Sequence, residues 1–289
     1  MRDFDYERPA SLEAAVALLA RYNGSARPLA GGTDLIDHIR CERLAPDVVI
    51  DIKKIPELNI LECSPTGLRI GAAVPCRTIC AVENVFTRYS ALHDSCSIIG
   101  GIQIQNRASV GGNLCNAGPA ADSTPSLIAL GAICVIAGPK GTREVPAESF
   151  CVSKGKTVLQ PGELLVELRF PPRPPHSGSH YRRFIPRNEM DIAVVGVGAS
   201  VTLDDEGETI TGARVALGAV AVTPFLALKV NEALIGKPAN DETYAAAGAV
   251  ARGIISPITD MRGTREFRLH VTGVLVERVL REAVARATV

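Results

Sequence analysis

Pro28-Leu29-Ala30-Gly31-Gly32-Thr33-Asp34-Leu35 is the stretch on which the fold turns. Residues 27–30 read as a short strand, and residues 33–42 read as a helix with Thr33 or Asp34 near its start. The two glycines fall at the junction. Residues 48–52 then supply a continuous apolar strand, so the segment is strand, loop, helix, strand. Just upstream, residues 12–22 form a helical pattern that Ser11 can cap, Glu13 suits electrostatically and Asn23-Gly24 can close. A strand-to-helix junction built from glycine presents backbone N–H groups with no Cβ in the way, which suits a phosphate or another anion. A Gly-Gly pair on its own is more often a turn.

A second such segment, Ser109-Val110-Gly111-Gly112-Asn113, changes that balance. It sits inside residues 100–119, which are rich in Gly, Asn, Ser and Ala and follow neither the helix nor the strand period. The stretch is too apolar and too long for a plain surface loop, and such stretches are usually functional. Asn116 and Asp122 lie just beyond, and a carboxylate there can accept hydrogen bonds from sugar hydroxyls. Around this segment the pattern predicts a hairpin over 60–63 and 68–72, helices over 78–86 and 91–99, and a helix from 122 to 130. A second hairpin over 133–137 and 143–145 and a strand over 164–170 follow. The Pro-rich run 171–175 with residues 176–179 marks a domain boundary. Beyond it come strands over 192–203 and 210–222, then helices over 230–234, 242–252 and 268–287. Gly196-x-Gly198 lacks the third glycine of a dinucleotide fingerprint and opens no helix, so it reads as close packing within a sheet.

Composition narrows the function classes. With 31 basic and 31 acidic residues in 289, the formal charge is zero, which gives no electrostatic grip on nucleic acid or an anionic membrane. Zero net charge weakly favours association with other proteins. There is no Trp for base stacking, and no apolar run approaches the roughly 20 residues of a membrane span. The first residues carry no apolar signal-peptide run, so a cytoplasmic protein is expected. The cysteines Cys41, Cys63, Cys76, Cys80, Cys96, Cys115, Cys134 and Cys151 are too scattered for a cluster or zinc site and read as reduced, buried thiols. No Ser-His-Asp, Cys-His or metal-ligand set is evident, so neither catalytic side chains nor a metal is assigned.

The order Pro-Leu-Ala-Gly-Gly-Thr-Asp-Leu (28–35), Ile-Gly-Gly-x5-Arg-Ala-Ser-Val-Gly-Gly-Asn-Leu (99–114), Pro-Ala-Ala-Asp (119–122) and Arg-x3-Asp-Ile-Ala (187–193) resembles the FAD-binding medium subunits of molybdenum hydroxylases. That family includes xanthine, nicotinate and carbon monoxide dehydrogenases, and the resemblance runs along essentially the whole chain. It implies an α+β fold: two FAD-binding subdomains of vanillyl-alcohol-oxidase type over residues 1–58 and 59–175, then a domain of antiparallel sheet plus helices over 176–289. It implies that Leu29, Ala30, Gly31, Gly32, Thr33, Asp34 and Leu35 wrap the FAD pyrophosphate and adjoining sugar. Ile99 would pack on the flavin side, while Ala108, Ser109, Gly111, Gly112 and Asn113 would bind the second face of the phosphates and ribityl chain. Asn116 and Asp122 would hold hydroxyls, Leu165 would touch adenine or the ring edge, and Arg183 or Arg187 would lie near the isoalloxazine.

The same resemblance implies a large molybdenum-cofactor subunit and a small [2Fe–2S] subunit as partners, in a dimer of heterotrimers. Electrons would pass from the partner clusters to FAD here and on to NAD+, a quinone or another acceptor. Two other readings stay open on the residues alone. One is an autonomous flavin oxidase or dehydrogenase, for which Asp191, His176, His180 and Tyr181 are the few candidate side chains. The other is a non-catalytic assembly subunit. Cys115 could lie near the cofactor or simply fill space, and His38, one helical turn past the first motif, reads as a solvent-facing helical residue.

Overall fold

The computed structural model describes residues 2–288. In the first sheet, Val48–Asp51 lies between Asp5–Glu7 and Ala26–Leu29, all parallel. Parallel neighbours need long connections, and the helices Leu12–Arg21 and Leu35–Arg40 supply them. Ser11 caps the first helix, its hydroxyl accepting from Ala14 N at 3.2 Å. Ala15, Val16 and Leu19 form the inner face of that helix and meet Val48, Ile50 and Ile52. Their core also takes in Ala137, Leu164 and Val166 of the next sheet, so the first unit packs against the second.

The second sheet is antiparallel, in the order Leu61–Ser64, Gly67–Gly71, Leu164–Phe170, Ile133–Gly138, Gly141–Pro146. Both hairpins and the strand Leu164–Phe170 match the sequence reading. Leu68, Ile70, Ile136 and Leu168 pack with Ile79, Leu92, Leu114 and Leu127 from the helices above. The single helix expected over 78–86 is broken in two, Cys76–Cys80 and Glu83–Arg88, because Val82 is extended at φ −92° and ψ 111°. Residues 100–119 hold two short helices, Ile102–Gln105 and Val110–Cys115, neither long enough to show a hydrophobic period.

The third sheet runs Ser177–Phe184, Val195–Leu203, Ile210–Gly218, Phe225–Leu226, antiparallel throughout. The helices Leu228–Leu234, Asp241–Ile254 and Arg265–Ala285 back it. The fold is α+β, as expected. Ser177–Phe184 is a correction, since its first three residues read as linker. Its small residues reflect close contact and not flexibility. A Cβ on Gly178 would lie 1.7 Å from the Ala283 carbonyl oxygen of the last helix. Ser179 is fully buried, and its carbonyl and hydroxyl accept from Ser90 Oγ and Ala91 N.

Gly196 and Gly198 have the packing role read for the pair, a Cβ on Gly196 lying 2.9 Å from the Tyr181 hydroxyl, and Gly218 shares it. A Cβ on Gly198 would lie 2.8 Å from the Pro125 carbonyl oxygen, and one on Gly218 would lie 2.9 Å from Pro125 Cγ. The helix Ser123–Ala129 therefore lies directly on the third sheet, and Arg214 donates to the Ile128 carbonyl near its end. Among the described residues no helix is long and apolar enough to cross a membrane. The eight cysteines are free thiols. Cys76, Cys96 and Cys134 are buried as expected, whereas Cys41 and Cys115 are exposed, which corrects the reading of all eight as buried.

Candidate functional site

The fold brings the two glycine segments into backbone contact. A Cβ on Gly31 would lie 1.9 Å from the Arg107 carbonyl oxygen and 3.0 Å from Ala108 N. The strand Ala26–Leu29 ends two residues before this contact, Gly32 turns the chain at φ +77°, and the helix Leu35–Arg40 leaves from Asp34. On the other side the Ala108 carbonyl accepts from Cys76 N at 2.8 Å. Ser109 caps the helix Val110–Cys115, its hydroxyl accepting from Gly112 N at 3.1 Å.

The two glycines of the second segment are not equivalent. A Cβ on Gly111 would meet Ala72 at 2.5–2.7 Å, so its missing side chain serves packing against that backbone. Gly112 is exposed and would meet only Ser109 Oγ, at 3.0 Å. Among the described residues, the N–H groups of Gly31, Gly32, Thr33 and Gly111 donate to no protein acceptor, whereas the Val110 N–H is taken up by the bridge that pairs Pro75 with Ser109. Backbone donors left unpaired at half-buried or buried positions are uncommon unless another partner takes them. Four of them in the two glycine segments match the acceptor-rich chemistry of a diphosphate.

The polar residues after the second segment are tied into the fold. Asn113 Oδ1 accepts from Ser123 N at 3.2 Å and Ser123 Oγ at 2.6 Å, which closes the start of the helix Ser123–Ala129. Asn116 is exposed beside it. Asp122 reaches across to the third sheet: Tyr181 OH donates to its Oδ1 at 3.0 Å, and Arg183 Nη1 donates to its Oδ2 at 2.5 Å. Burial pushes the Asp122 carboxyl up, to about 6, against the opposing pull of Arg183 and the Tyr181 hydroxyl. Arg183 also donates to the carbonyls of Ile98 at 2.9 Å and Asp191 at 3.3 Å, and its side chain is 5% exposed. Tyr181 was not assigned to Asp122 at the sequence level. Residues 181 and 183 share one face of a strand, but that signal is usable only once the strand is recognised.

Around this pair the remaining candidates separate. Ile99 is nearly buried in the turn before Ile102–Gln105, next to Gly100 at φ +57°. Arg187 is exposed on a loop, donates to the Met190 carbonyl at 2.9 Å, and faces Asp191 at 3.6 Å. That loop passes Gly101, whose Cβ would lie 3.7 Å from Met190 Sδ. Leu165 is 1% exposed and belongs to the second core, where it presents no open surface. Ala30, Thr33 and Leu35 are half-buried, Asp34 is exposed, and Ala108 is buried. His38 is half-buried instead of facing solvent.

Known proteins match this chain along nearly its whole length. The family model described as the FAD binding domain in molybdopterin dehydrogenase matches residues 2–173, and the CO dehydrogenase flavoprotein C-terminal domain matches residues 179–283. The xanthine dehydrogenase FAD-binding subunit of Escherichia coli O157:H7 is 36% identical over 293 residues, covering 99% of this chain and 98% of that one. The carbon monoxide dehydrogenase medium chain of Afipia carboxidovorans is 32% identical over 284 residues, covering 98% of each. Among solved structures, a carbon monoxide dehydrogenase chain from Hydrogenophaga pseudoflava superposes with a TM-score of 0.94 at 32% identity, covering 99% of this chain and 98% of that one.

Proposed function

The chain belongs to the FAD-binding subunits of the molybdenum hydroxylases, an oxidoreductase family whose cofactor is FAD, and from that premise we propose that it is the electron-exit subunit of such an enzyme. It takes electrons from [2Fe–2S] clusters on a small partner subunit, after substrate oxidation on a large molybdenum subunit, and passes them to an external acceptor such as NAD+ or a quinone. The observation that carries this reading is the set of unpartnered N–H groups of Gly31, Gly32, Thr33 and Gly111, in two segments that meet where Gly31 touches Arg107 and Ala108. Bound there, FAD supplies a centre that exchanges electrons singly or in pairs, which is what linking clusters to a two-electron acceptor requires.

The roles of the chain's own residues follow from their placement. The N–H groups of Gly31, Gly32, Thr33 and Gly111 would bind the diphosphate. Gly112, Asn113 through its amide NH2, and Asn116 lie on the same side and hold sugar or ribityl hydroxyls. Ile99 flanks the ring. Asp122 keeps lone pairs beyond the bonds from Tyr181 and Arg183 and accepts one further hydroxyl. Arg183 holds Ile98, Asp122 and Asp191 in register, and Arg187, exposed on its loop and paired with Asp191, would reach the ring edge by leaving that pair.

The test is anaerobic rapid mixing of the assembled complex with its reducing substrate. Flavin absorbance in this chain should bleach only after the iron–sulfur signal of the partner changes. The chain on its own should show no flavin reduction by any organic substrate of the complex. Flavin bleaching by substrate in the isolated chain contradicts the proposal and favours an autonomous dehydrogenase.

A further inference from the structure

We propose that a second cavity, separate from the glycine cleft, is a small-oxyanion site that takes a phosphate group. It is a depression open to solvent, of about 310 Å³, and Asp94, Ser97, Ile98, His180, Arg182 and Asn188 contribute to its wall. No residue of 29–35 or 108–116 lines it. It adjoins the cleft through Ile98 and Arg183, and the loop that carries Arg187 forms one side.

The polar groups of the wall are arranged for an anion. His180 Nδ1 is held 2.6 Å from Asp94 Oδ2, which leaves Nε2 as the ring nitrogen available to the cavity. The same carboxylate oxygen accepts from Tyr181 N at 3.1 Å and Arg286 Nη1 at 2.7 Å. Arg286, which also bonds Glu282 at 3.0 Å, is the cation on this carboxylate, and the carboxylate orients the imidazole. Among the described residues the Arg182 guanidinium has no hydrogen bond or ion pair, and the Asn188 side-chain amide has none either. Of the charged side chains in the wall, Asp94 is paired with Arg286 and Arg183 with Asp122, which leaves the Arg182 guanidinium without a charged partner among the described residues. A guanidinium, an oriented imidazole and an amide converging on one cavity match the fork and point donors that phosphate oxygens take. Free phosphate and the phosphate of a nucleotide share this chemistry.

Calorimetric titration of the FAD-loaded chain distinguishes the cases, with inorganic phosphate and AMP as separate probes. Saturable binding is expected, and Arg182→Gln or His180→Gln should weaken it about tenfold or more. Phosphate binding as tightly as AMP, or more tightly, assigns free phosphate. AMP binding about tenfold tighter assigns a nucleotide phosphate. Arg182 is exposed and unpaired, so Arg182→Gln should leave the fold unchanged. Flavin content, read on the same samples, should stay at the wild-type value and keeps this proposal apart from the FAD assignment. No saturable binding of either probe, or binding undiminished in Arg182→Gln, overturns it.

Discussion

The carbonyl oxygen of Arg107 lies 1.9 Å from the point a Cβ on Gly31 would occupy. The two glycine segments thus touch through bare backbone, and any side chain at residue 31 must push them apart. Gly31→Ala should cost about 1–3 kcal/mol of stability, the usual scale of overpacking, and should lower flavin content. Gly253→Ala is the control, since nothing lies within 4 Å of its Cβ position in the helix Asp241–Ile254. It should be neutral or stabilise by up to about 1 kcal/mol. Thermal melts and flavin absorbance on both variants check this, and a Gly31→Ala protein that melts like wild type with full flavin refutes the contact.

Gly111 and Gly112 should separate folding from binding. Gly111→Ala drives a methyl into the Ala72 backbone and should lower stability by about 1–3 kcal/mol. Gly112→Ala meets only the Ser109 hydroxyl, and should weaken FAD while leaving the apoprotein melt nearly unchanged. If both variants lose stability equally, the open face has been placed on the wrong glycine.

Asp122 and Arg183 form a buried pair between the second and third sheets. Removing one partner strands a charge, at a cost of about 3–5 kcal/mol. Asp122→Asn and Arg183→Met should each fall near that range in urea unfolding, and the double variant should lose clearly less than their sum. Simple additivity would mean the two side chains act independently, which the geometry does not allow.

Asp94 sets a pH dependence. Burial alone would push its carboxyl up, but hydrogen bonds from His180 and Arg286 outweigh that and hold it below the usual carboxylate range. With the folded value depressed, its contribution is fully present above the unfolded value of about 3.9 and is lost as pH falls through the lower folded value. Asp94→Asn should therefore flatten the acid limb of the stability curve below about pH 4 and lower the plateau at neutral pH. An acid limb identical to wild type would show that the Asp94 cluster does not hold the last helix to the edge strand.

The legibility of the molecule in its sequence depended on element length. Helices of ten residues or more, such as Leu12–Arg21 and Arg265–Ala285, announce themselves by period and caps. Ser177–Phe184 did not, because Gly178 and Ser179 are chosen for backbone contact with Ala283 and Ser90 and imitate a linker. The same blindness hid Tyr181 as the partner of Asp122. The glycine motifs were visible, but which glycine faces Ala72 and which faces outward depends on a neighbour some forty residues away in sequence. Residue identity alone cannot carry that distinction.

The central claim is that the cleft between Gly31-Gly32 and Val110-Gly111 holds FAD. The most direct measurement is the flavin released by heat from the purified chain and from its Gly112→Val variant, identified as FAD by chromatography and set against protein concentration. One FAD per wild-type chain, lost in a Gly112→Val protein that still folds, is the predicted result. A folded wild-type chain that is colourless and takes up no FAD when incubated with it would contradict the account.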